Sequence, residues 1–251
     1  MKIYLVSHTN EPLKSIAAAI LNIGIGRDIK TLNDITREEA IVAFQDTVKS
    51  FLDSPLEFAS FNFFWEDIPL FLRSELERAR VGWSYAERSL RFYKAGLRDP
   101  VNRIDWDMFP GIQNANDRNL FLDIIQNQMD DYQNLQDLGF HTQEARNVIG
   151  PWFGTALQTS STYRALRNTM ALRLSSQAHS AWQKAANQIK ELVTQVEPVL
   201  GEALTNVCDI QQRCVWQSKL DRPCEDCIKA GRGVNHIHDF SNGQCTCGES
   251  V

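Results

Sequence analysis

The first 207 residues contain no cysteine, and all six cysteines fall between Cys208 and Cys247. An enzyme built from the larger part therefore has no thiol nucleophile and no redox disulfide of its own. Positive charge is scarce as well. The net charge is -5 and no Lys/Arg-rich run occurs, so the electrostatic grip that a nucleic-acid backbone needs is missing and no polymer partner is expected. Long apolar runs are absent too. No stretch approaches the ~18 consecutive apolar residues of a membrane span, and Met1 to Val6 leads straight into polar His8, Thr9 and Asn10 rather than a signal-peptide core. The expectation is a soluble, intracellular, cytoplasmic protein.

What is present can bury a full core. The chain has 251 residues, 43% hydrophobic and 23% charged, which excludes disordered and fibrous classes. Lys2 to Val6 suits a strand, and Pro12 opens a helix carrying Leu13, Ile16, Ala17 and Ile20, stopped by Gly24 or Gly26. Thr36 with Glu39 is a capping box ahead of a helix over 37–52. After Ser54 and Pro55, the aromatic alternation around Phe58 to Phe64 reads as a buried strand. Asp67 then caps a helix with Pro69 in its first turn, running through Leu76. A long helix from Asp117 to Leu135 ends at Gly139, a short one covers Gln143 to Val148, and two more span Tyr163–Leu172 and Gln177–Leu200. Strand, two helices, strand, then mostly helices gives an α+β fold rather than alternating βαβ.

The densest chemistry lies between Arg78 and Tyr93, where four arginines, Glu87, Ser84 and Ser89 share sixteen residues. Guanidinium groups bind phosphate and carbonyl edges in a planar, bidentate way, so the segment suits a nucleotide cradle. It resembles the signature of the flavin-dependent thymidylate synthases, Arg-His-Arg-x-x-Ser-x-Asn-Glu-x-Ser-x-Arg-Tyr, at Arg78, Arg80, Ser84, Glu87, Ser89 and Arg91. Ala79 and Ala86 stand where that signature has histidine and asparagine, and one extra residue precedes Ser84. Upstream, Ser54 to Phe63 is similar to the family's Ser-x-Leu-Glu-His-x-x-Phe-x-Phe block, with Phe58 in place of histidine. Downstream, Glu144 to Pro151 resembles its Ala-Arg-x-x-Leu-Pro turn, and Thr162 to Leu174 its Asn-Ala-Arg-Ser-Leu helix with the arginine that follows. These blocks, in order, cover residues 2 to about 200.

The resemblance implies a central, mostly antiparallel sheet with long helices over residues 1–203. It also implies a homotetramer with active sites between subunits, binding FAD and dUMP and using NADPH and methylenetetrahydrofolate to make dTMP. By resemblance Arg173 is the catalytic residue, donating to the O2/N3 edge of the pyrimidine as negative charge develops on the ring. Glu75, Arg78, Glu87, Ser89, Arg91, Arg146 and Arg173 would surround the nucleotide. Ser60, Arg78, Arg80, Glu87, Arg164 and Asn168 would hold FAD, with Arg164 and Asn168 on one helix face. Glu75 stands where the family tends to have glutamine, which leaves room for a different pyrimidine nucleotide, methylated or hydroxymethylated. A further alternative is a nucleotide-binding or assembly module without catalysis.

The remaining 204–251 segment is rich in cysteine. Cys224-Glu-Asp-Cys227 and Cys245-Thr-Cys247 make two thiol pairs able to close on one tetrahedral zinc ion, with Cys208, Cys214, His236 and His238 as further candidates. Four protein ligands leave no open position, so such a knuckle is structural. His8 and His141 read as loop or cap residues.

Overall fold

The computed structural model describes residues 1–23, 28–50, 52–89, 104–112, 114–215 and 224–231. Its centre is a four-stranded sheet, β1 (Lys2–His8), β2 (Ser60–Pro69), β3 (Trp83–Glu87) and β4 (Gly154–Thr162), in the order β1-β2-β4-β3. Every neighbouring pair is antiparallel. One face carries Ile3, Phe61, Phe63, Trp65 and Leu157, all buried. On it pack α1 (Pro12–Asn22), α2 (Arg37–Ser50), α6 (Tyr163–Arg173) and α7 (Ser180–Val196) in a single hydrophobic core. The opposite face alternates to Asn62, Phe64, Gln158, Ser160 and Ser84, the half-exposed or exposed partners of the same register. This is a two-layer α+β arrangement with helices on one side of the sheet.

Several elements depart from the expectations in instructive ways. β3 and β4 have no aliphatic alternation. β4 reads Gly-Thr-Ala-Leu-Gln-Thr-Ser-Ser-Thr, yet it sits between β2 and β3 with both edges paired, so tertiary pairing overrides weak local propensity. Phe58 closes a 3-10 turn over Ser54–Phe58, and the strand starts only at Ser60. Asp67 does not cap a helix. It takes φ 54 at the irregularity between Trp65 and Ile68, which fits a bulge. The strand then runs on to Pro69, and α3 (Leu70–Leu76) begins after it. Because α3 has no side-chain cap, its first amides donate to the carbonyls of Phe153 and Pro151, at 3.0 Å from Leu70 and 3.0 Å from Phe71.

The expected 177–200 helix is two helices. Pro198 excludes the α conformation at Glu197 (φ -147), which ends α7 and caps α8 (Pro198–Glu202). α4 (Ala115–Asp137) starts on an Asn114 cap and ends before Gly139 at φ 87. α5 (Thr142–Ala145) passes into a 3-10 turn over Arg146–Val148. These pack into a second small cluster around Met129, Tyr132 and Ala145. A third cluster is formed by Cys208, Cys224 and Cys227, from α9 (Val207–Gln211) and α10 (Glu225–Lys229). No described helix is long and apolar enough to cross a membrane.

Candidate active site

The turn after α3 and the first residues of β3 run along α6, and between them lies a cleft of about 500 Å³. The turn is tied down from beneath. The Tyr85 hydroxyl lies 2.7 Å from the carbonyl of Leu76 and 2.5 Å from that of Ala79, donating between them. Burial, with a contribution from Glu77, pushes the Tyr85 phenol well above its usual pKa, so it stays protonated as this donor. Gly82 closes the turn at φ 74. A side chain there would meet Ala165 Cβ at 2.7 Å and Thr162 Oγ1 at 2.8 Å, so only glycine permits both the left-handed backbone and the close approach to α6. Thr162 caps α6, its hydroxyl accepting from the Ala165 amide at 3.3 Å.

Four arginines, Arg78, Arg80, Arg164 and Arg173, line this cleft against two carboxylates, Glu57 and Glu75. In a chain of net charge -5 that is a local positive excess, and low-dielectric walls concentrate its field on an anionic ligand. Arg164 Nη1 donates to Glu57 at 2.6 Å. Among the described residues Arg78 and Arg80 make no ion pair, leaving their donors to face the cleft. Asn168 follows Arg164 by one helical turn on the same wall.

Arg173, at the last turn of α6, is half-buried and set by two neighbours. Its Nη1 lies 3.2 Å from Glu75 Oε2, and its guanidinium stacks 4.6 Å from the centroid of the Trp182 ring. Trp182 Nε1 donates to the same Glu75 oxygen at 2.8 Å. The fully buried indole in turn meets Trp65 of the sheet edge-on at 6.4 Å. Burial lowers the Arg173 pKa, Glu75 opposes that shift, and Arg78 adds to it. Glu75 is therefore an orienting carboxylate, shared between an indole and a guanidinium. A stacked, desolvated cation presents its remaining N–H groups in one fixed direction.

The other expected site residues lie elsewhere. Glu87 ends β3, about 13 Å along the strand from Trp83 at 3.3 Å per residue, where it pairs with Arg73 of α3. Ser89 follows it, and Arg146 sits half-buried beside the α4–α5 cluster. None of the three lines the cleft. Ser60 is engaged with Thr9, whose hydroxyl accepts its amide at 2.9 Å. Arg91, Cys245 and Cys247 lie outside the described residues. Cys224 and Cys227 gather with Cys208 and Cys214, the four sulfurs all within 4.8 Å of one another.

Sequence reasoning missed the roles of Glu57 and Trp182, because each matters through a partner more than a hundred residues away. Ala79, in the position of a family histidine, packs partly against the core, and Phe58 is 64% exposed. Trp83 is buried, its indole donating to Thr169 at 3.1 Å. His141 and His179 cap α5 and α7.

The donor set suits FAD. Three guanidiniums and a carboxamide line the cleft for phosphates, and apolar Val81 and Leu172 border the space for a flat ring.

The profile of a family described as "Thymidylate synthase complementing protein" matches residues 4–199. A flavin-dependent thymidylate synthase from Saccharolobus solfataricus is 26% identical over 231 residues, 91% of this chain and 86% of that protein. Another from Geobacter sulfurreducens is 29% identical over 203 residues, 80% of this chain and 85% of that protein. Among solved structures, a UMP/dUMP methylase, PolB, from Streptomyces cacaoi bound with 5-Br dUMP superposes with a TM-score of 0.64. It is 23% identical, and the match covers 80% of this chain and 93% of that one, a likeness of fold.

Proposed function

The chain belongs to the thymidylate synthase complementing protein family, and on that premise we propose that it methylates a pyrimidine nucleoside monophosphate reductively at C5. The reading in full is dUMP to dTMP, with methylenetetrahydrofolate as carbon donor and NADPH as reductant. The observation that carries it is the fixed Arg173 guanidinium at the end of a cationic cleft, stacked on Trp182 and oriented by Glu75. Arg173 donates to the pyrimidine O2/N3 edge, where negative charge must accumulate for C5 to act as a nucleophile. Arg78 holds the phosphate, and Arg80, Arg164 and Asn168 hold FAD. FAD, when bound and reduced by NADPH, would supply the hydride that completes the methyl group.

The separation of Glu87, Ser89 and Arg146 from this cleft supports a site shared between subunits of a homotetramer. Each chain would offer the arginine cleft to one site and the far end of β3 to another. The cysteine cluster takes no part in the chemistry and serves as a structural metal knuckle, since four protein ligands leave no open coordination position.

A second reading, another pyrimidine nucleotide as substrate, is favoured by Glu75, a carboxylate lining the cleft beside Arg173, and by the structural neighbour described as acting on UMP as well as dUMP. One assay tests both. The protein is incubated with dUMP, dCMP or UMP together with methylenetetrahydrofolate and NADPH, and the nucleotides are weighed by mass spectrometry. A one-methyl gain on dUMP is the expected product, and an adduct on UMP or dCMP selects the second reading. Protein that binds neither FAD nor any of the nucleotides overturns both.

A further inference from the structure

We infer that Cys208, Cys214, Cys224 and Cys227 bind one tetrahedral zinc ion, and that the loaded knuckle holds the turn following Arg173 in place through Asp226.

The geometry of the thiols points to a metal rather than to disulfides. Zinc–thiolate bonds of about 2.3 Å in a tetrahedron put the sulfurs about 3.8 Å apart, whereas a disulfide brings them to about 2.0 Å. Cys208 Sγ and Cys224 Sγ are 3.8 Å apart, and all four sulfurs lie within 4.8 Å of one another. Three of the four are buried, and no described cysteine is disulfide-bonded. The Cys224 amide donates to Cys214 Sγ at 3.2 Å, as suits a sulfur carrying thiolate charge. Cys224 and Cys227 bracket the start of α10, while Cys208 comes from α9.

Asp226 lies between two of these ligands. Its Oδ2 accepts the Ser176 amide at 2.8 Å and the Ser175 hydroxyl at 3.4 Å. Ser175 is fully buried and is two residues from Arg173. The same turn leads into α7 and therefore to Trp182, on which Arg173 stacks. Asp226 is thus a positioning residue that fixes the junction between the guanidinium and its indole. That coupling rests on the nucleotide-site reading above, whereas the metal site does not.

The test uses the full chain purified without chelator. Elemental analysis should find stoichiometric zinc, and exchange into cobalt should give the visible spectrum of tetrahedral thiolate coordination. C208S and C214S should each lose the ion, while C245S and C247S keep it. Zinc-free wild type, or the reverse pattern with C245S and C247S losing the ion, overturns this ligand set. D226A should retain zinc yet exchange the Ser176 amide about tenfold faster, as expected for a charge-assisted hydrogen bond lost. D226N, which keeps an acceptor oxygen, should restore most of the protection. Unchanged exchange in D226A overturns the latch. If no nucleotide is turned over at all, the metal and exchange results still stand or fall alone.

Discussion

The two ends of β3 carry similar residues in opposite electrostatic states. At the Trp83 end Arg78 and Arg80 have no ion-pair partner among the described residues, and Arg173 shares its carboxylate with an indole. At the Glu87 end Arg73 is held by Glu77 at 3.7 Å and by Glu87 as well. Arg73, held between two carboxylates away from the cleft, serves the fold, whereas an arginine that lines an open cleft can serve a ligand. The difference teaches that arginine density in a motif is no measure of a site, and that position on an open cleft is.

Arg173→Ala should break this contrast most severely. Removing one donor that stabilises developing charge costs about 10²–10³ in kcat, measured in the methylation assay, with circular dichroism unchanged. Turnover near wild type would show that the cleft arginine is no more functional than Arg73. Next in size is a complementation experiment. Arg173→Ala and Arg146→Ala chains, each inactive alone, should regain activity when co-assembled, because some sites then receive an intact cleft and an intact far end. Failure to regain activity from well-folded mixed assemblies would place both residues in one chain's site.

Gly82→Ala sharpens the comparison at the level of packing. A methyl group 2.7 Å from Ala165 Cβ on a φ 74 backbone should lower stability by about 1–3 kcal/mol, read by chemical denaturation, and should open the cleft wall while leaving the Glu87 end alone. The smallest effect belongs to a pair serving only the scaffold. Burial raises the Asp105 pKa, but Lys184 at 2.7 Å and the Met1 amine outweigh it, and the net shift is downward. A carboxylate with a depressed folded-state pKa contributes stability that is present above its unfolded value and is lost as pH falls through the folded one. Asp105→Asn should therefore cost under about 1 kcal/mol near neutrality, as solvent screening dictates, with the difference from wild type vanishing on acidification below about pH 4.

Local pattern made much of the fold legible. The capping box before α2, the proline opening α1 and the glycine after α4 are signals within a turn or two of the chain. The family blocks located Arg78, Arg80, Arg164 and Asn168, which do share one cleft. β3 and β4 escaped because their small and polar residues become strands through pairing on both sides rather than through propensity. The roles of Glu75 and Trp182 escaped because a hydrogen bond across 107 positions leaves no trace in either neighbourhood. The cysteine spacing suggested a knuckle from Cys224 and Cys227, while the partners brought beside them come from α9 and the chain after it.

By itself the sequence determined the class of the fold, the family and the residue types available for chemistry, since hydrophobic period, capping residues and motif order are properties of neighbouring positions. Which arginines are neutralised, which carboxylate turns Arg173 toward the cleft and which thiols meet were decided by tertiary structure. Those outcomes depend on distances between remote segments, fixed by the packing of α3, α6 and α7 on the sheet and, for the thiols, by the meeting of α9 with α10.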